Sequence, residues 1–174
     1  MRAFVSINIP ENIKKQILEI QTKLPEFFGK KTESENLHLT LKFLGEISNE
    51  KIGEIREKLR KVRYSNYQTY LDYSGFFDNQ KYGVVWLHLP NCEGLQKILD
   101  ETLYEIGFEK ESRFMSHLTI ARIKKVADKE KFIEEIKQIK IPKVSFQVNG
   151  FYLMKSELCR DKRKYSIIEE YALN

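Results

Sequence analysis

Apolar residues recur along this chain with two spacings, which divide it into predicted helices and strands. Apolar stripes at helical spacing predict helices over residues 11–24, 49–62, 93–107 and 128–139. Between them, short apolar or alternating runs predict strands, among them AFVSINI, NLHLTLKFLG, QTYLDYSGFF, VVWLHLP and RFMSHLTIARI. FFGKKTESE is predicted to be a loop and DNQKYG a turn, and two final strands are predicted over 143–158 and 164–173.

The order strand, helix, strand, helix, strand occurs twice. INIP at residues 7–10 matches LHLP at residues 87–90 with an offset of 80 positions. The simplest account is an internal duplication. We therefore predict a single bilobal α+β domain over residues 1–174, built from two repeats at about 1–80 and 81–174. The two antiparallel sheets are expected to be related by a pseudo-twofold axis, with helices packed outside and a central cleft.

A four-residue pattern of His, apolar, Thr, apolar occurs at residues 38–41 as HLTL and at residues 117–120 as HLTI. The chain has only 3 histidines, so two of the three begin the same pattern. With this composition, the chance of that is on the order of one in ten thousand. Both copies fall in predicted strands, which indicates two corresponding positions in the two repeats.

Alternation along a strand places His38 and Thr40 on one face, and His117 and Thr119 likewise, while the apolar residues of each motif point into the core. An imidazole is the usual general acid or base near neutral pH. Threonine hydroxyls can hold the oxygens of a phosphate. The motifs therefore predict a site that breaks a phosphoester by in-line attack. Its facing ring nitrogens should lie roughly 5 to 9 Å apart.

A zinc site is the main alternative for paired histidines. The third histidine, His88, lies in a different context, and neither Cys92 nor Cys159 has ligand-like spacing. We therefore expect no metal and no cofactor. A lone strand histidine is usually structural, and it is the doubling of the motif that favours a function.

Composition adds a weaker indication of the partner. The formal charge of +5 and pI near 9.0 suit a polyanion only modestly. The polar segment CRDKRK and Lys155 form a basic tip that an RNA backbone could follow. The N-terminal apolar run is too short for a signal peptide, and the two cysteines need not pair, which predicts a cytoplasmic protein that does not enter a membrane.

The paired motifs, with the flanking runs ENLHLTLKFLGE and HLTIAR, resemble the 2H phosphoesterase superfamily. More narrowly, nearly the whole chain is similar to RNA 2′,3′-cyclic phosphodiesterases, long called 2′-5′ RNA ligases. One departure is Ser116, where relatives often carry proline. We expect little effect, because position 116 faces away from the histidine side.

The resemblance implies a metal-independent enzyme that opens a 2′,3′-cyclic phosphate at an RNA end, tRNA halves included, and leaves a 2′-phosphate. It also implies that the step can run backwards as 2′-5′ RNA ligation. His38 would be the proton donor and His117 the proton acceptor, with Thr40 and Thr119 binding phosphate. A monomer is expected.

Two further residues are candidates for substrate contact. By alternation Lys42 shares the face of His38, whereas Arg122 points away from His117 unless the strand bulges. For Arg122, phosphate contact and lobe packing both stay open.

Two other functions stay open. One is a nucleotide-binding module, whose mark would be loss of a motif histidine or threonine. The other is a phosphodiesterase for a small cyclic nucleotide or ADP-ribose cyclic phosphate, since loops such as 26–35 would set substrate length.

Overall fold

The computed structural model describes residues 1–79, 81–160 and 162–174. Gln80 of the predicted turn and Asp161 of the basic tip lie outside the described residues. The helices are α1 (Glu11–Thr22), α2 (Asn49–Leu59), α3 (Glu93–Tyr104) and α4 (Lys129–Gln138). The strands are β1 (Arg2–Asn8), β2 (Phe28–Lys31), β3 (His38–Glu46), β4 (Tyr67–Tyr70), β5 (Ser74–Asn79), β6 (Tyr82–His88), β7 (His117–Lys125), β8 (Ser145–Val148), β9 (Gly150–Cys159) and β10 (Lys162–Ala172).

The strands form one large sheet of order β10-β9-β1-β3-β7-β6-β5, with β2 added beside β7, and a small sheet of β4 and β8. The described pairings are antiparallel. The predicted α+β class with antiparallel sheets and external helices is confirmed.

Each lobe draws strands from both halves of the chain. In one lobe, β9 and β10 of the second half extend β1 and β3, and in the other, β5 of the first half extends β6 and β7. β1 and β6 have the same order of exposed and buried positions, and so do β3 and β7. These observations fit the predicted repeats at about 1–80 and 81–174, which stay a prediction.

Three sequence predictions about strands were wrong in detail. β2 lies in the predicted loop, because it is an exposed edge strand with no apolar pattern to indicate it. The predicted strand QTYLDYSGFF is two strands, since β4 pairs with β8 and β5 pairs with β6. The segment 143–158 is likewise divided between β8 and β9.

The core lies between the large sheet and the helices. Leu39, Leu41, Leu118 and Ile120 are at most 2% exposed and belong to the same apolar cluster as the helix stripes. Ser48 and Asp128 cap α2 and α4 as predicted, each accepting a backbone N–H three residues on. The motif strands are therefore fixed from behind by apolar packing.

Each motif strand carries a one-residue bulge just after its threonine. In β3, Lys42 pairs with Val5 and Thr40 with Ser6, so Leu41 is the extra residue. In β7, Ile120 is the extra residue in the same way. Two consecutive residues therefore face the core, and alternation resumes in the opposite phase.

Lys42 does not share the face of His38, contrary to the sequence prediction. The bulge turns its side chain to the core side, where it is only 6% exposed and forms an ion pair with Asp100 of α3. Its ammonium also donates to the Glu109 carbonyl, while Asp100 accepts the Glu111 N–H at 2.9 Å. Lys42 thus ties the bulge of β3 to α3.

Replacing Lys42 by methionine should lower the free energy of unfolding by about 3–5 kcal/mol, because Asp100 is left buried without its countercharge. The double variant Lys42→Met/Asp100→Asn should lose much less, since no charge is stranded and the Glu111 N–H keeps an acceptor. Urea unfolding measures both. Equal losses in the single and double variants would contradict this account of the pair.

Candidate active site

The two motif strands meet at a single pair of residues. Leu39 of β3 pairs with Leu118 of β7, and both leucines face the core. Their neighbours in sequence therefore project together on the other face. Extending this antiparallel register by one position places His38 beside Thr119 and Thr40 beside His117. All four side chains line one cavity of about 430 Å³ between the lobes.

Each imidazole is held in one orientation by the backbone two residues before it, just ahead of its strand. Nδ1 of His38 lies 2.7 Å from the Asn36 carbonyl oxygen, and Nδ1 of His117 lies 2.8 Å from that of Met115. A carbonyl can only accept, so Nδ1 carries the proton in both rings. Nε2 is then the ring nitrogen left for the cavity, and in the neutral ring it is an acceptor.

Aromatic side chains pack against both imidazoles. The His38 ring lies 4.9 Å from the Phe4 ring and 4.9 Å from the Tyr165 ring, between centroids. The His117 ring lies 5.1 Å from that of Phe77, edge to face. These contacts restrict the rotamers of the two histidines and shield them from water.

Shielding and charge together favour neutral imidazoles in the cavity. The pKa of His38 is lowered from 6.5 to about 4, chiefly by burial, which outweighs the hydrogen bond to Asn36. The positive charges of Arg122 and His117 lower it as well. The pKa of His117 is lowered by burial and by Arg122, against its hydrogen bond to Met115. An anion bound here would oppose the effect of Arg122 on both rings.

The bulges bring two more side chains to the cavity. Arg122, expected to point away from His117, lines the same cavity because the extra residue reverses the phase of β7. Its guanidinium lies 5.4 Å from the centre of the Tyr82 ring. The equivalent position on β3 is Phe43, which is 68% exposed and also lines the cavity. Sequence reasoning missed Phe43, whose one signal is its offset of five residues from His38, equal to that of Arg122 from His117.

The contacts of the third histidine, His88, indicate a structural role. His88 pairs in register with His117, as Asn8 does with His38. Its Nδ1 lies 3.1 Å from Asp72 Oδ2, and its ring stacks on that of Tyr73.

The described ranges contain no three His, Cys, Asp or Glu side chains grouped closely enough to hold a metal ion. Nor is any helix within them both long and apolar enough to cross a membrane.

A family model described as LigT-like phosphoesterase matches residues 7–86 and 90–165. The chain belongs to this family. It is 36% identical over 175 residues to a Methanocaldococcus jannaschii protein named RNA 2′,3′-cyclic phosphodiesterase, with 98% of this chain and 100% of the relative covered. A Thermotoga maritima protein of the same name is 36% identical over 179 residues, with coverage of 98% and 94%.

Solved structures with the same fold include one of LigT itself. Escherichia coli LigT complexed with 3′-AMP superposes with a TM-score of 0.81 at 28% identity, covering 99% of this chain and 97% of that one. TT0787 of Thermus thermophilus gives a TM-score of 0.82 at 25% identity, with the same coverage. The family match agrees with the resemblance of the motifs to 2H phosphoesterases.

In an NMR titration of the ligand-free protein, His38 should change its protonation near pH 4, far below 6.5. Arg122→Gln should raise the pKa of both cavity histidines, because it removes the positive charge that opposes their protonation. Lys97 is exposed on α3, outside the cavity. Lys97→Gln therefore removes one positive charge elsewhere and should leave the pKa values of both histidines unchanged. A wild-type His38 that titrates at 6.5 would show that the ring is not shielded.

Proposed function

We propose that this chain is an RNA 2′,3′-cyclic phosphodiesterase, which hydrolyses the cyclic phosphate at an RNA end and leaves a 2′-phosphate. The observation that carries the proposal is the meeting of both motifs in one cavity, with two imidazoles, two hydroxyls and Arg122 around one space. The names of the relatives from Methanocaldococcus jannaschii and Thermotoga maritima support it.

The side chains supply a complete proton balance for this reaction. Nε2 of His117 takes a proton from water as the water oxygen bonds to phosphorus, and the phosphorus–O3′ bond breaks in line with it. His38, protonated to the imidazolium once the phosphate is bound, gives its Nε2 proton to the departing O3′ and becomes neutral, and proton exchange with water then restores both rings. Thr40 and Thr119 donate to the non-bridging oxygens. The phosphate anion raises the low pKa of His38 toward the range in which the ring can act as an acid.

The assignment of His38 as acid and His117 as base follows the resemblance of the two motifs to 2H phosphoesterases. Phe43 offers an exposed ring on which a nucleobase can stack. Arg122, whose charge acts on both imidazoles, offers a guanidinium for the phosphate oxygens.

Three finer points belong to the proposal. All the named side chains come from one chain, so a monomer suffices. A 5′-hydroxyl of RNA can take the place of water, and the reverse step then forms a 2′-5′ link. An RNA end with a cyclic phosphate, such as a tRNA half in the cytoplasm, is the substrate class. A binding module without turnover is less favoured, since both histidines and both threonines are in place.

His38→Ala and His117→Ala should each lower turnover of an RNA oligomer ending in 2′,3′-cyclic phosphate by about 10²- to 10⁴-fold, the usual effect of losing one general acid or base. Resolving 2′-phosphate from 3′-phosphate ends by chromatography identifies the product. His88→Asn, which copies the Asn8 found at the equivalent position, is the matched control and should stay within about threefold of wild type.

The same assay tests the function and the role of metals. Wild-type protein should produce the 2′-phosphate with or without EDTA. A 3′-phosphate product would refute the proposed cleavage of the phosphorus–O3′ bond, and near wild-type rates in either alanine variant would refute the two-histidine mechanism. Activity that EDTA abolishes and a divalent ion restores would refute a metal-independent reaction.

A further inference from the structure

Two cavities meet at the side chains of His38 and Tyr165. The first is the cavity of about 430 Å³ that holds both motifs, and the second has a volume of about 530 Å³. Their charges differ. Four cationic side chains and one carboxylate line the first cavity: Lys30, Lys31, Arg122, Arg163 and Glu33. Three carboxylates and one ammonium line the second: Glu11, Glu35, Glu170 and Lys14.

The positive charge of the first cavity is concentrated where two segments approach each other at its rim. β2 contributes Lys30 and Lys31, whose register partners on β7 are Arg122 and Ala121. β10 contributes Lys162 and Arg163, both exposed. We call Lys30, Lys31, Lys162 and Arg163 the basic rim.

Glu33 links the two sides of the basic rim. Its carboxylate lies 3.1 Å from the Lys30 ammonium and 3.4 Å from the Lys162 ammonium. Asn36 adds a further link, because its side-chain amide Nδ2 donates to the Arg163 carbonyl at 3.3 Å. Cations from opposite sides of the cleft are therefore already arranged around one anionic group.

We propose that the basic rim binds the internucleotide phosphate of RNA that precedes the cyclic end, and directs the chain out past the tip of the β9–β10 hairpin. This rests on the proposed function. Two cavities border the phosphate held beside His38, and the carboxylates of the second cavity repel a polyanion. Glu33 occupies the place that the RNA phosphate takes, and the phosphate competes with it for Lys30 and Lys162.

The test compares two substrates that differ by a single internucleotide phosphate, adenosine 2′,3′-cyclic phosphate and the dinucleotide ApA with the same cyclic end. The readout is the ratio of kcat/KM for the dinucleotide to that for the mononucleotide. Lys30→Ala and Lys162→Ala, which remove the two ammonium groups that Glu33 contacts, should each lower the ratio about tenfold, the effect of removing one charge-assisted hydrogen bond. Glu33→Gln should raise it, since the competing carboxylate is gone.

Lys14→Ala is the matched control, because it removes one positive charge from the second cavity, which also borders His38. In Lys14→Ala, the ratio of kcat/KM for the dinucleotide to that for the mononucleotide should stay within about twofold of wild type. A ratio unchanged in both rim variants would overturn the proposal, as would an equal fall in Lys14→Ala. A Glu33→Gln ratio below wild type would also contradict it, because Glu33 would then assist RNA binding.

A binding measurement separates this proposal from the proposed function. If wild-type protein hydrolyses neither substrate, binding at the basic rim can still be measured. The readout is the fluorescence anisotropy of a labelled RNA hexamer with a 2′-phosphate end. Rim variants should then bind more weakly, and the slope of log affinity against log salt should fall by about 0.7 for each phosphate that the variant no longer neutralises. An unchanged slope and affinity in these variants would overturn the proposal.

Discussion

The register between β3 and β7 is the constraint on which the candidate site depends. One pair, Leu39 with Leu118, joins the lobes within the large sheet. Because both leucines are fully buried, the residues on either side of each must project to the opposite face. A shift of either strand by one residue would turn its histidine and threonine into the core and its leucines into the cleft, which the cost of burying polar groups opposes.

The bulges turn a symmetric frame into an asymmetric site. Both motif strands gain their extra residue at the same place, which brings Phe43 and Arg122 to the same relative position. One is an apolar ring and the other a cation, so the two ends of the cavity suit the two ends of a nucleotide. In β3 the second core-facing residue is Lys42, whose buried charge is matched by Asp100, whereas in β7 it is the small Ala121.

Much of the fold and of the candidate site could be predicted from the sequence, because apolar periodicity and the repeated motif indicate local geometry. The helices, the motif strands and the shared face of His38 with Thr40 follow from spacing alone. Lys42 was assigned to the wrong face and the face of Arg122 stayed open, because a bulge depends on the pairing of β1 with β3 and of β6 with β7, which spacing cannot show. β2 was missed for a related reason, since its pairing with β7 satisfies its backbone while its side chains stay exposed.

A crystal structure with a bound nucleoside 2′-phosphate would show whether both imidazoles act on one phosphate. The phosphate should lie between the four motif side chains, with Nε2 of His38 and Nε2 of His117 roughly 5 to 9 Å apart, as two hydrogen bonds across one phosphate group require. A phosphate bound elsewhere, or ring nitrogens more than about 12 Å apart in the closed complex, would contradict the shared-phosphate mechanism.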